Sequence, residues 1–415
     1  MSWSEHAIWW HVYPLGACGA PIRDPHPAPG HRLTRLLNWL DYAAELGTSG
    51  LLLGPVFQSS THGYDSTDQF RIDPRLGDEA DFAALVDACH ARGLAVVLDG
   101  VFSHVGRNHP AAREALAAGP GGRHADLFDI DWQHPDGPQF RVFEGHGSLV
   151  RLNHASPQAR DYTVDVMRHW LALGADGWRL DAAYSVDAGF WADVLPRVRA
   201  HHPRAWFLGE VIHGDYAAFV RDSGVDTVTQ YELWKAIWSS LKESNFFELD
   251  WTLSRHNDFL HSFVPQTFLG NHDVTRIAST VGPERAVLAL AILMTVGGIP
   301  SIYYGDEQGA TGVKEERADG DDAVRPPLPE SPAELLPFGR DMFRAHQALI
   351  GLRRRHPWLV RATTKTLALT NTHYVYQAEA DGNLLTVELL LDGEHPVAVI
   401  RDDRGAELWS YGRSC

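Results

Sequence analysis

The feature that most constrains this chain is a rhythm. Short apolar runs alternate, for most of the length, with longer segments whose apolar residues recur at helical spacing. "AIWWHVYP" is a β-type run ending at Pro14, and "LTRLLNWLDYAAELG" follows with helical periodicity and a glycine stop at Gly47. "GLLLGPVF", "LAVVLDGVFSH", "ADGWRLD" and "AWFLGEV" read as further strands, separated by the helix-like "EADFAALVDACHARG", "ARDYTVDVMRHWLALG" and "FWADVLPRVRAHHP". "DTVTQY", "QTFLGNHD" and "SIYYGDE" continue the series. About eight strand-plus-helix units result, the pattern of a closed parallel barrel.

Two segments break the rhythm. Residues 105–151 are rich in Gly, Pro, His and Asp with little periodicity, and read as a small irregular insertion after the third strand. From about Pro357 onward, alternating runs such as "NLLTVELLLD" and "HPVAVIR" are separated by Asp, Gly and Asn, as in an antiparallel β domain. The expected architecture is therefore α/β: a (β/α)8 TIM barrel made of residues 1–104 and 152–356, the insertion at 105–151, and a C-terminal β-sandwich at 357–415.

The formal charge of −17 argues against nucleic acid or an anionic membrane surface as partner, since both require basic surface. The longest apolar run, "AVLALAILMTVGGIP", is too short to span a bilayer and reads as a buried helix. No signal-peptide pattern opens the chain. Cys18, Cys89 and Cys415 lack metal-site spacing, so reduced thiols and a cytoplasmic location are expected. Most of the fourteen tryptophans should be core, although flat aromatic faces also suit sugar rings.

Function should lie at the C-terminal ends of the strands, where barrel chemistry is built. There the sequence places Asp99 and His104, Arg179 and Asp181, Glu210, and His272 with Asp273. In "GADGWRLDAA", Arg179 and Asp181 are two apart and share one face of a strand. Each carboxylate alone could be structural. Crowded carboxylates repel, however, so Asp181, Glu210 and Asp273 at one mouth need a positive neighbour or a reaction that uses them. Arg179 is that neighbour and is expected to hold Asp181 ionised. An ionised carboxylate beside a protonated one is the arrangement for retaining glycoside hydrolysis.

The ordered stretches "DGVFSH", "GWRLDAAYS", "GEVIHG" and "FLGNHD" resemble the α-amylase family of retaining glycoside hydrolases. "HGYDSTDQFRIDPRLG", "GGIPSIYYGDEQG" and "DGDDAVRPPLP" extend the resemblance over nearly the whole chain. It implies Asp181 as nucleophile, Glu210 as general acid/base and Asp273 as the third carboxylate, which binds sugar hydroxyls. It further implies that Arg179, His104, His272, Tyr64 and Asp99 serve the substrate site, with Tyr64 stacking on the sugar. Asp99 has anchoring Arg179 as its alternative role.

The departures matter as much. Where calcium-dependent relatives carry Asn, Asp and His ligands, this chain has Ser103, Arg151 and Ser185, so no calcium, other metal or cofactor is expected. Thr61 replaces the aspartate with which strict α-glucosidases read a chain end. Tyr184-Ser185 replaces a Lys-His pair beyond the cleavage point. The motifs are most similar to the cyclomaltodextrinase, neopullulanase and maltogenic amylase group, although that group's N-terminal domain is not expected ahead of "AIWWHVYP". The implied substrate is a malto-oligosaccharide, cyclodextrin or related α-glucan, cleaved at α-1,4 bonds. A transglycosylase or α-glucosidase on the same fold, or a catalytically inactive carbohydrate-binding barrel, stays open as an alternative. Oligomeric state is not readable from the sequence.

Overall fold

The computed structural model describes residues 3–24, 28–317 and 320–412. Cys415 lies outside them, while Cys18 and Cys89 are buried free thiols. Eight parallel strands form the centre: β1 (Trp9–Val12), β2 (Gly50–Leu53), β3 (Ala95–Gly100), β4 (Gly177–Leu180), β5 (Trp206–Gly209), β6 (Thr227–Val228), β7 (Gln266–Phe268) and β8 (Ile299–Tyr303). They pair in the order 6-5-4-3-2-1-8-7, and a parallel bridge between Thr229 and Gln266 closes the ring. β6 is only two residues long. Beyond it Gln230 N–H donates to the Gln266 carbonyl at 2.8 Å, and the Thr227 hydroxyl donates to the Val264 carbonyl at 2.7 Å.

Strand alternation explains why both a core and a site fit inside. Inward positions near the strand starts are apolar: Trp9, Leu52, Val97, Trp206, Leu208 and Ile299 share one interior cluster, with Trp9 and Trp206 stacked at 5.2 Å. Their neighbours Trp10, Leu51, Val96 and Phe207 face outward into the helix layer. Gly177 makes room for the interior, since a Cβ there would meet the Trp206 carbonyl oxygen at 2.4 Å. Two residues further along each strand the same face carries His11, Asp99, Arg179 and Glu210. Asp181 follows Arg179 by two more.

The surrounding helices are α1 (Leu40–Leu46), α2 (Glu79–His90), α3 (Pro157–Ala172), α4 (Ala188–Arg199), α5 (Tyr216–Ser223), α6 (Tyr231–Glu243), α7 (Phe247–Leu260), α8 (Pro283–Thr295) and α9 (Arg340–Arg355). The first predicted helix is divided: Arg32–Trp39 is 3-10 and only Leu40–Leu46 is α. The apolar run expected as a buried helix is α8, and every residue from Ala286 to Thr295 is buried. Among the described residues no helix is long and apolar enough to cross a membrane.

The insertion carries strands at His104–Gly106, Val142–Phe143 and His146–Arg151 and a helix at Pro110–Ala118. It has its own small core, which includes Val105, Ala112, Leu127, Phe128 and Val150. At the C-terminal end β9 (Thr363–Leu369), β10 (His373–Ala380), β11 (Asn383–Leu390), β12 (Val397–Arg401) and β13 (Glu407–Tyr411) form one antiparallel meander. The expected sandwich is not what forms. Tyr374, Tyr376, Leu385, Val387 and Leu389 join the core of the barrel helices, and the Thr295 hydroxyl of α8 hydrogen-bonds Tyr376 at 2.6 Å. Helices take the place of a second sheet.

Candidate active site

The chain ends of β3, β4 and β5 meet at one guanidinium. Arg179 Nη1 donates to both Asp99 oxygens at 2.8 Å and to Asp181 at 3.0 Å, and Nη2 lies 2.6 Å from Glu210 Oε1. All four side chains are buried or nearly so, with Asp181 8% and Glu210 7% exposed. Glu210 is held from two further directions. The backbone N–H of Ala182 donates to Oε2 at 2.9 Å, and the hydroxyl of Tyr231, at the start of α6, donates to Oε1 at 3.0 Å. Ala182 adopts a left-handed conformation, φ 43° and ψ 41°, rare for a residue with a Cβ. That turn, directly after Asp181, aims its N–H at Glu210.

One cation against three carboxylates leaves excess negative charge. Burial raises the pKa of Asp181, Arg179 lowers it, Glu210 and Asp99 raise it further, and the net direction is well above the ordinary value. Arg179 thus favours the ionised form of Asp181, as expected, but against strong opposition. The guanidinium is shared three ways, and its attraction does not offset burial and like-charge repulsion. Asp99 is also pushed up, by burial first.

Asp273 stands in different surroundings. His272 Nε2 is 3.0 Å from one of its oxygens and Arg325 Nη2 is 2.8 Å from the other. Burial acts upward, but His272 and then Arg325 outweigh it, so its carboxyl stays well below the usual range. Arg325 is oriented by its Nε bond to the His272 carbonyl at 2.8 Å and lies over the Tyr13 ring at 4.7 Å. His272 is sandwiched between Tyr13 and Tyr64, with centroids at 5.6 and 5.3 Å. Burial pushes His104 down to about 3, so its imidazole is neutral, and Ser103 hydrogen-bonds its Nδ1 at 2.8 Å.

These groups surround a cleft of about 450 Å³. Tyr64, His104, Asp181, Glu210 and Asp273 line it. Asp99, Arg179 and His272 are fully or almost fully buried and do not; their polar atoms are engaged by protein partners one layer below. Asp99 therefore anchors Arg179, the alternative role given to it above, and His272, expected to hydrogen-bond the sugar, lies behind the cleft wall against Asp273. Sequence reasoning missed Arg325, Tyr13, His11 and the Tyr231–Glu210 bond. Arg325 sits in the quoted stretch "DGDDAVRPPLP", but nothing there indicates which carboxylate it would meet. Trp234, beside the site, stacks on Phe268 at 6.1 Å and donates to the Leu269 carbonyl at 3.1 Å.

The expected calcium positions are poor ligands in place as well as in type. Ser103 is engaged by His104, the Ser185 hydroxyl donates to the Ala182 carbonyl at 2.7 Å, and Arg151 reaches toward Asp129 at 3.8 Å. These residues do not fit the ion. Among the described residues His31, Asp78 and Asp81 cluster elsewhere, where Asp78 and Asp81 form the capping box of α2.

Residues 32–361 match the α-amylase catalytic domain. This chain belongs to the α-amylase family. It is a glycosidase similar to cyclomaltodextrinase and maltogenic amylase. It is 31% identical to a cyclomaltodextrinase of Geobacillus thermopakistaniensis, over 96% of this chain and 70% of the relative. Neopullulanase 2 of Thermoactinomyces vulgaris is 30% identical over 97% of this chain and 70% of its own. A solved cyclomaltodextrinase superposes with a TM-score of 0.80 at 28% identity, covering 94% of this chain and 70% of that one. The cyclic α-maltosyl-(1→6)-maltose hydrolase of Arthrobacter globiformis shares the fold from end to end, with a TM-score of 0.81, 24% identity and coverage of 99% and 100%.

Proposed function

We propose that this glycosidase cleaves α-1,4-glucosidic bonds of malto-oligosaccharides, cyclodextrins or related α-glucans with retention of configuration. The observation that carries the reading is the single guanidinium of Arg179, which holds Asp181 and Glu210 side by side on one cleft. Two carboxyls held by one guanidinium suit attack by one of them, where an inverting pair must leave room for a water between. The double displacement requires Asp181 as carboxylate and a transferable proton on the partner, Glu210.

Asp181 then attacks the anomeric carbon as the bond to the leaving oxygen breaks, and Glu210 gives its proton to that oxygen. The glycosyl-aspartate is released when water attacks the same carbon. Glu210 takes the water's proton, and Asp181 leaves as carboxylate. Asp273, kept ionised by His272 and Arg325, accepts hydrogen bonds from hydroxyls of the sugar in the cleaved position. His104 and the Tyr64 ring complete that pocket. No metal enters any step, and activity should survive a chelator. The buried thiols Cys18 and Cys89 suit a reducing, cytoplasmic setting.

The test is the product time course from maltoheptaose with β-cyclodextrin in parallel. Short maltosaccharides and rapid ring opening support the reading. Products longer than the input would favour a transglycosylase, and no turnover of any α-glucan would remove both.

A further inference from the structure

The insertion borders the cleft, and the tip of one of its hairpins touches the barrel there. Its hairpin joins Phe143 to His146 through Glu144 and Gly145, with φ of 45° and 81°. A two-residue turn with both φ positive favours Asn, Asp or Gly at the first position. Glutamate there is out of place on backbone grounds. Its side chain, however, accepts a hydrogen bond from the Tyr184 hydroxyl at 2.8 Å. On the other side of the tip, Phe143 stacks on His104 at 4.4 Å. The hairpin tip is thus tied to the barrel at Tyr184 and braced against its own sheet at His104.

The position of the contact gives its meaning. Tyr184 follows Asp181 by three residues, its N–H points to the Glu210 carbonyl at 3.4 Å, and its ring meets His213, beyond β5, at 5.2 Å. Asp273 and Arg325 are tied instead to His272, and neither has a bond to this group. A general acid faces the departing portion of the substrate, so Tyr184 and Glu144 stand on the leaving side. Both line the cleft and are bonded to each other. The hydrogen bond therefore bridges the cleft between insertion and barrel.

We propose that the Glu144–Tyr184 bridge closes the leaving side and makes Glu144 a specificity-determining residue that selects short leaving groups. This rests on the α-glucan hydrolase reading above. A long leaving chain must break the bridge to pass. A short one fits within it and gains the Glu144 carboxylate and Tyr184 hydroxyl as partners for its own hydroxyls.

The test compares kcat/KM for maltotriose and maltoheptaose in the wild type and in Glu144→Gly, Glu144→Gln and Tyr184→Phe. Glycine accepts the left-handed turn at no steric cost, so Glu144→Gly removes the bridge while keeping the hairpin. Its maltoheptaose-to-maltotriose ratio should rise about fivefold, the worth of one hydrogen bond. Tyr184→Phe should match it, and Glu144→Gln, whose amide oxygen still accepts, should keep most of the wild-type ratio. The double variant Glu144→Gly, Tyr184→Phe should move it no further. An unchanged ratio in Glu144→Gly with both substrates still cleaved would overturn the bridge alone. A wild type that cleaves neither would instead fail the functional reading.

Discussion

Two buried arginines sit at the C-terminal ends of the barrel strands, and they do opposite things. Arg276 is 1% exposed, pairs with a single carboxylate, Asp306, at 2.7 Å, and gives its remaining bonds to the carbonyls of Tyr304 and Val324. The Tyr303 ring covers its face at 4.6 Å. One charge meets one charge, two backbone carbonyls share the guanidinium, and Asp306 borders only a cavity of about 10 Å³. Arg179 is as buried but faces three carboxylates, two of which look into the cleft. A balanced, enclosed pair holds a fold together. An unbalanced, open cluster costs stability, and chemistry is the reason for keeping it.

The comparison breaks most sharply at Asp181. Asp181→Asn should lower turnover of maltoheptaose by at least about 10⁴-fold, the scale of losing a central catalytic group, with an unchanged far-UV spectrum. Substantial residual hydrolysis would mean that the cluster around Arg179 is structural after all.

Asp306→Ala should act the other way round. Stranding Arg276 without its partner should cost about 3–5 kcal/mol, read as a lowered urea midpoint, while the folded fraction keeps its KM. A normal midpoint would erase the distinction between the two arginines.

Beside that pair, burial raises Glu307 from its ordinary 4.5 to about 7. A raised folded pKa means that the native state binds the extra proton, so the stability is present below pH 4.5 and lost as pH rises through 7. The loss should be about 3 kcal/mol between those limits, and Glu307→Gln should flatten that part of the stability–pH curve.

Much of this was legible in the sequence. Alternation within β3, β4 and β5 puts Asp99, Arg179, Asp181 and Glu210 on the inner face, and those strands are neighbours in chain order. The parts that escaped depend on closure of the ring. His11 meets His272 at 3.4 Å only because β1 lies beside β8 and near β7. Arg325 arrives from the long segment after β8, where no periodicity fixes its direction. The upward push on the Asp181 pKa also escaped, because a sequence shows an arginine nearby but not how many carboxylates share it. The sandwich expected at the C-terminus failed for a related reason: alternation reveals an apolar sheet face, not what covers it.

Two smaller effects sharpen the comparison. In Arg325→Leu, Asp273 loses a cation that holds it ionised, so its pKa should rise. The acid limb of the kcat/KM–pH profile should then move upward by about one pH unit, with little change at neutral pH. An unmoved limb would show that His272 alone sets Asp273. Asp181→Asn should also raise the melting point, by the equivalent of about 1 kcal/mol, because it removes one charge from the crowded cluster. The same change at Asp306 should lower it.

The measurement that bears most directly on the central claim is the site of covalent attachment. The protein would be incubated with a fluorinated α-glucosyl fluoride, which forms the glycosyl-enzyme readily and releases it slowly, then weighed intact and mapped by peptide mass spectrometry. The account predicts one added glycosyl unit, carried on the peptide that contains Asp181. An adduct on Glu210 or Asp273, or turnover of the reagent with no adduct in a rapidly quenched sample, would contradict it.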